Sequence, residues 1–208
     1  MNDFDLRDAK RTASMKKLQE VALAGQTSGH WTITRTSKDD AGKYWSFADV
    51  VTPDSLHFMI SGGSWNKENK IGANLDTIET DGIKVSPRDV VSYNEDTPST
   101  AYISSDKAVD RIISDILKRV INNPDYRDIA VKMNECLASR LANKASLSGH
   151  IETLAKMGFS FRERNSTYSA ICWHDKFNNV TVYENGRVSL ECTLPIDKVQ
   201  ALINLIGD

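Results

Sequence analysis

One run of aliphatic residues in the middle of the chain constrains the fold most. Between residues 105 and 122 the apolar positions recur at the helical spacing i, i+3, i+4, i+7 and i+8. These positions are Val109, Ile112, Ile113, Ile116, Leu117, Val120 and Ile121. Such a stripe predicts a helix buried in the hydrophobic core, with the hydroxyl of Ser105 as its N-terminal cap.

Other helices are expected on both sides of this one. Asn123-Pro124 is typical of a cap followed by a first-turn proline, and it predicts a second helix. The apolar pattern weakens over residues 143–149, which indicates a break near Ser148-Gly149 before a short third helix. An N-terminal helix is expected to stop at Gly25. A C-terminal helix is expected from Pro195 onward.

Alternating apolar and polar residues predict antiparallel strands in both halves of the chain. In the first half they cover residues 30–37, 44–51, 56–61, 70–76, 83–85, 90–93 and 101–103, and in the second half 159–164, 167–175, 179–184 and 187–193. Alternation in the first strand places Trp31, Ile33 and Arg35 on one face. Asn185-Gly186, a strong short-range hairpin signal, is expected to join the last two strands.

Together these elements predict an α+β fold with antiparallel sheets flanking central helices. The expected domains are residues 1–104, an N-terminal helix plus an antiparallel sheet, and residues 105–208, the central helices, a four-stranded meander and a C-terminal helix. The order helix, strands, helix occurs twice, so two α-β(n)-α units are an alternative. No residue-level repeat supports that duplication.

Charge and cysteine content narrow the class of protein. The chain has 26 basic and 28 acidic residues, a balance that argues against a duplex-DNA binder and against an acidic nucleic-acid mimic. No apolar run approaches the roughly 20 residues that span a bilayer, so no membrane association is expected. Three cysteines without framework spacing indicate reduced thiols, as in a cytoplasm.

The stretch "HFMISGGSWNKENKIG", residues 57–72, places two glycines between two predicted strands. A phosphate-binding loop would instead open a helix, so no nucleotide site is expected here. Gly62-Gly63 is predicted to begin a long hairpin connection. Its tryptophan either folds back onto the sheet edge or contacts a partner. The candidate partner-binding residues are Trp65, Asn66, Lys67, Lys70 and Trp45.

No metal, cofactor or catalytic signature accompanies these residues. Cys172 and His174 share a strand face and Cys192 lies one hairpin away, but paired C-x-x-C knuckles are absent, so we expect no metal or cofactor. The four histidines are scattered and no nucleophile motif is present. The acids of residues 76–81 are interpreted as exposed turn carboxylates.

Two segments, "LHFMISGGSWNKENKIGANL" at residues 56–75 and "STAYISSDKAVDRIISDILKRVI" at residues 99–121, resemble uncharacterised proteins of tailed bacteriophages. The shared order is a glycine-bearing hairpin, a short Thr/Ser strand and an Ile-rich helix ending in basic residues. The resemblance implies a bacterial host cytoplasm. It also implies inhibition of host machinery, in the manner of anti-CRISPR or antirestriction proteins.

Three functional hypotheses follow. The first is a non-enzymatic protein that binds and inhibits a host protein or ribonucleoprotein complex, such as a bacterial defence complex. The second is a single-stranded nucleic-acid-binding protein, which requires lysines clustered with Trp45 and Trp65 on one face. The third is an enzyme acting on nucleic acid, which requires a deep cleft that holds histidine and aspartate together. Homo-oligomer formation is left open by the sequence.

Overall fold

The computed structural model describes residues 3–38, 43–64, 67–92, 95–161, 169–174 and 177–191. The chain forms two compact units, Met1–Leu137 and Ala138–Asp208. This division differs from the predicted boundary at 104/105, because the helix that follows packs against the first helix and the first sheet. Some predictions fall outside the described residues: these concern the C-terminal helix, Cys192, Trp65 and Asn66.

Helices and antiparallel strands alternate in blocks, which confirms the α+β class. The first block is α1 (Asp3–Thr27), β1 (Thr32–Lys38), β2 (Trp45–Val51), β3 (His57–Ser64), β4 (Lys67–Asn74), β5 (Ile78–Thr80), β6 (Ile83–Val85), a 3₁₀ turn (Pro87–Asp89) and β7 (Ala101–Ser104). It is followed by α2 (Val109–Ile116) with a π-helical continuation (Leu117–Ile121), α3 (Pro124–Lys156), β8 (Ser160–Phe161), β9 (Ser169–His174), β10 (Phe177–Tyr183) and β11 (Val188–Glu191).

The first unit is built on a five-stranded antiparallel sheet in the order β1-β2-β3-β4-β7. One face of this sheet is apolar and packs against α1 and α2. Its buried side chains are Ala48, Val50, Phe58, Ile60, Ile71, Ala73, Ala101 and Ile103. From α2, Ile112, Ile113 and Ile116 enter the same core, so the predicted burial of the aliphatic stripe is confirmed.

Ser105 does not cap α2. The helix begins at Val109 after Ala108, which makes no side-chain cap. Ser105 is buried instead, and its hydroxyl donates to the carbonyl oxygen of Asn69 at 2.9 Å. The Ser14 hydroxyl lies 3.0 Å from the Ser105 hydroxyl and 2.5 Å from the carbonyl oxygen of Glu68. The prediction was wrong because these serines join α1, β4 and the β7–α2 turn.

Gly25 does not end α1, which continues to Thr27. A Cβ at Gly25 would lie 1.9 Å from the ring of Trp31, whose indole nitrogen donates to the carbonyl oxygen of Ala22 at 3.0 Å. The glycine therefore provides space for a buried tryptophan. The left-handed residue that follows the helix is Gly29, with φ of 73°.

Two further secondary-structure predictions were wrong. Residues 90–92 do not form a strand, because Pro87 opens a 3₁₀ turn closed by hydrogen bonds from the Ser86 amide and hydroxyl to Asp89. The predicted break near Ser148-Gly149 is also absent, since α3 is continuous. There the Ser148 hydroxyl donates to the carbonyl oxygen of Lys144 at 3.0 Å, inside the helix.

The second unit contains a four-stranded antiparallel meander in the order β11-β10-β9-β8. The hairpin predicted at Asn185-Gly186 is confirmed. The amide of Tyr183 donates a hydrogen bond of 2.9 Å to the carbonyl oxygen of Arg187, which closes the turn, and Gly186 has φ of 80°. A small core holds Leu147, Ala170 and Val182, against which Ile151, Leu154 and Phe161 pack. Duplication of an α-β(n)-α unit stays a prediction, because the residues of the predicted C-terminal helix lie outside the described ones.

Candidate binding site

Gly62 and Gly63 lie within β3 and contact α1, so the prediction that they begin a long connection was wrong. β3 continues to Ser64 and β4 starts at Lys67. A Cβ at Gly62 would lie 3.0 Å from the carbonyl oxygen of Ser14, and one at Gly63 would lie 2.8 Å from that of Arg11. Gly63 has φ of 63° at an irregularity in the β3–β4 pairing. The glycines bring the helix close to the sheet.

Of the predicted partner-binding residues that the structure describes, Lys67 and Lys70 lie together on β4 beside β7, whereas Trp45 lies on β2, two strands away. Lys67 is exposed, and its ammonium lies 5.4 Å from the ring centroid of Tyr102. Lys70 is half-buried on β4, opposite Ser104. Trp45 is also half-buried and packs against the core on the helix side. A partner-binding role for these residues stays a prediction.

The other face of the five-stranded sheet carries a mixture of polar, apolar and aromatic side chains. We call it the polar face, and its residues include Arg35, Phe47, Asp49, His57, Met59, Ser61, Lys70, Asn74 and Tyr102. One cross-strand row joins Arg35 to Asp49, Asp49 to Met59 and Met59 to Asn74. Arg35 and Tyr102 are exposed and the others are half-buried.

Arg35 reaches this face because β1 is irregular. Ile33 pairs with Val50 and packs against the core, whereas Arg35, two residues later, pairs with Asp49 on the polar face. The extra residue, Thr34, breaks the simple alternation of the strand. The prediction that Ile33 and Arg35 share a face was therefore wrong.

The guanidinium of Arg35 is held by two neighbours. Its Nε donates to Asp49 Oδ2 at 2.5 Å, and its central carbon lies 5.3 Å from the ring centroid of Phe47. Nη2 lies 4.0 Å from Asp76 Oδ2. The hydrogen bond to Asp49 raises the pKa of Arg35, and the side chain is still 60 % exposed. One edge of the guanidinium is thus fixed while much of the group faces solvent.

A cleft of about 630 Å³ lies between the polar face and the β5–β6 hairpin. Its charged and titratable lining residues are Arg35, Asp49, His57, Asp76, Glu79 and Lys84. Lys84 pairs with Glu79 at 3.3 Å. The cleft lining therefore carries three carboxylates, those of Asp49, Asp76 and Glu79, and two cations, Arg35 and Lys84. Asp76 and Glu79, interpreted from the sequence as exposed turn acids, border this cleft.

Burial alters the titration of two cleft residues. It lowers the pKa of the half-buried His57, and the nearby charge of Asp49 only partly offsets this effect. It raises the pKa of Asp49, outweighing the opposing hydrogen bond from Arg35. Within the described part of the chain, the buried Oδ1 atoms of Asp49 and Asn74 have no hydrogen-bond partner. These two oxygens lie on either side of Met59 in the cross-strand row.

Metal ligation finds no support among the described residues, where no group of three His, Cys, Asp or Glu side chains is placed to hold an ion. Cys172 is buried, and burial raises the pKa of its thiol, in keeping with packing as a small apolar side chain. None of α1, α2 and α3, as described, is long and apolar enough to cross a membrane.

Comparison of the chain with protein-family models, curated proteins and solved structures finds no match. The geometry of the polar face and its cleft is therefore the basis for a functional proposal. Sequence inspection missed Arg35, Asp49 and Asp76 as a group, because the contacts among them depend on strand pairing.

Proposed function

We propose that this protein is a non-enzymatic binding protein that contacts another protein through the polar face of its first sheet. One observation carries the proposal: Arg35, Phe47, Met59 and Tyr102 share this face. Arginine, methionine and aromatic residues are the types enriched at protein–protein interfaces relative to the remaining surface. The buried side chains of the face that packs against α1 and α2, in contrast, are aliphatic except for Phe58.

Two of these side chains are held in position before a partner arrives. Arg35 is fixed by Asp49 and Phe47, so less conformational entropy is lost when it forms an interface contact. The ring of Tyr102 lies over Gly72, where an added Cβ would be 3.5 Å away, and it is 39 % exposed. Arginine and tyrosine are also frequent interface hot spots.

The charges around Arg35 favour a protein over a nucleic acid as the partner. A phosphate backbone approaching Arg35 would also meet Asp49, Asp76 and Glu79. Trp45, required for the nucleic-acid hypothesis, packs against the core. The resemblance to phage proteins supports a host protein or ribonucleoprotein as the target, and inhibition of that target as the outcome.

One observation favours an enzyme as the second candidate. His57 and Asp49 line the same cleft, as that hypothesis requires, and the lowered pKa of His57 makes it neutral near pH 7. However, no hydrogen bond joins these two side chains among the residues that the structure describes. A catalytic base is normally oriented by such a bond, so the binding hypothesis is preferred.

Affinity capture with two matched tyrosine variants tests the proposal. Tyr102 on the first sheet and Tyr183 on the second are each 39 % exposed. Full-length wild type, Tyr102→Ala and Tyr183→Ala would be tagged, incubated with nuclease-treated bacterial lysate and compared by quantitative mass spectrometry. We expect Tyr102→Ala to reduce retention of a specific protein by about tenfold or more, as truncation of a hot spot does.

The Tyr183→Ala variant should retain that protein at the wild-type level. Melting temperatures of all three proteins show whether a loss of capture reflects unfolding. Loss of capture with Tyr183→Ala but not with Tyr102→Ala would place the interface elsewhere and overturn the proposal. Capture that disappears on nuclease treatment would favour the nucleic-acid hypothesis.

A further inference from the structure

We propose that the cleft beside the polar face binds one cationic side chain, a guanidinium or an ammonium group, which the protein partner inserts there. The proposal rests on the proposed function for the source of that group. The cleft of about 630 Å³ falls within the range of about 300–1,000 Å³ typical of ligand sites, so it has room for one extended side chain.

The balance of charge in the cleft selects a cation. Asp49 is paired with Arg35 at 2.5 Å and Glu79 with Lys84 at 3.3 Å. Asp76 is the least closely paired of the three carboxylates, because its ion pair with Arg35 spans 4.0 Å, too long for a hydrogen bond, and Arg35 already pairs with Asp49. His57 adds no positive charge near neutral pH. The carboxylate of Asp76 is therefore the most direct acceptor for an entering ammonium or guanidinium.

An anionic group fits the same cleft less well. Arg35 already donates its Nε to Asp49, so only its outer nitrogens are left for a carboxylate or phosphate. Any anion that reached them would lie close to Asp76, and like charges at such distances repel. A cation meets the opposite situation, because it can contact Asp76 without displacing the two shorter ion pairs, Arg35 with Asp49 and Lys84 with Glu79.

NMR titration of the full chain with small probes tests this inference without a known partner. The probes are N-acetyl-arginine methylamide, N-acetyl-lysine methylamide and the neutral isostere N-acetyl-citrulline methylamide, added at low salt to ¹⁵N-labelled protein. We expect saturable shifts at Thr34, Arg35, Asp76 and Thr77 for at least one cationic probe, with a Kd on the order of 1 mM, as for a single weak contact.

Two charge-neutralising variants make the test specific. Asp76→Asn removes the excess carboxylate and should weaken binding of the cationic probe about fivefold. Glu135→Gln removes one negative charge from α3, outside the cleft lining, and should leave the affinity unchanged. The dispersion of the amide spectrum of each variant shows that it is folded.

Three outcomes would each overturn the inference. The citrulline probe could bind as tightly as the cationic probes, N-acetyl-aspartate methylamide could bind more tightly than they do, or no cationic probe could give a saturable shift. Those outcomes leave capture of a partner by the polar face unaffected. Conversely, probe binding that depends on Asp76, combined with capture that does not depend on Tyr102, would refute the proposed interface while supporting the cation site.

Discussion

At the scale of single residues, glycines decide where α1 lies on the sheet. Gly62 occupies a β3 position at which an added Cβ would be 3.0 Å from the Ser14 carbonyl oxygen and 3.1 Å from the Met15 Cα. Both atoms belong to the backbone of α1, so they cannot move aside as a flexible side chain would. Gly62 therefore fixes the distance between helix and sheet, and any larger residue must separate them.

Gly62→Ala should lower the free energy of unfolding by about 1–3 kcal/mol, the usual cost of overpacking a core. Gly149→Ala is the matched control. Gly149 lies within α3, where an added Cβ meets no atom within 4 Å, so alanine should instead stabilise the helix by about 0.5–1 kcal/mol. Urea denaturation of both variants measures the difference. An unchanged midpoint for Gly62→Ala would show that α1 does not contact β3 as described.

At the scale of elements, α2 anchors the first unit. Three isoleucines on two successive turns, Ile112, Ile113 and Ile116, are buried in its core. The helix then continues through π-helical turns at Leu117–Ile121, which keep Val120 and Ile121 buried. Because α2 also contacts α1 and β7, this one element stabilises much of the unit.

Ile116→Ala should cost about 2–5 kcal/mol of stability, because Ile116 is 1 % exposed and its truncation leaves a cavity. Ser114→Ala, on the exposed side of the same helix, should change stability by less than about 0.5 kcal/mol. Thermal and urea unfolding of both variants give the comparison. A loss below about 0.5 kcal/mol for Ile116→Ala would mean that the stripe does not form the core.

At the scale of the whole molecule, the first unit, Met1–Leu137, contains both the main core and the candidate site. The second, Ala138–Asp208, has its own smaller core around Leu147 and Val182. The proposed binding activity is therefore assigned to the first unit. The pKa shifts of the cleft residues should nevertheless make the unfolding free energy of the chain depend on pH.

Stability should fall as the pH drops below about 6.5, and His57 should account for part of the fall. Burial lowers the pKa of His57, so the unfolded chain binds a proton in a pH range where the folded chain does not. His57→Gln should flatten the dependence between about pH 8 and pH 5.5, measured as unfolding free energy in urea. Asp49, whose pKa is raised from 3.8, contributes with the opposite sign, because the folded chain holds a proton there in a pH range where the unfolded chain has lost it.

A steeper fall in the His57→Gln variant than in the wild type would contradict this assignment. It would mean that the folded protein favours the imidazolium, and hence that the charge of Asp49 outweighs the effect of burial on His57. In that case stability from this residue would be present at low pH and lost as the pH rises through the folded pKa.

The sequence by itself determined the features that depend on local periodicity. Three predicted features agree with the structure: the α2 stripe, most strands of the five- and four-stranded sheets, and the hairpin at Asn185-Gly186. Each is encoded within a few neighbouring residues. Its local signals failed at Gly25 and Gly149. At Gly25 the Trp31 ring occupies the space that a side chain would take, and beside Gly149 the Ser148 hydroxyl donates to the carbonyl oxygen of Lys144 inside the helix.

Only the tertiary structure decided the composition of the candidate site. Arg35 pairs with Asp49 because an irregularity at Thr34 turns its side chain away from the face that Ile33 occupies. Asp76 joins them because the chain leaves β4 and folds back beside the sheet. These contacts join residues that are distant in sequence, and their register is set by how the strands pair. Periodicity within one strand carries no information about that register, since a shift of one residue changes every cross-strand neighbour.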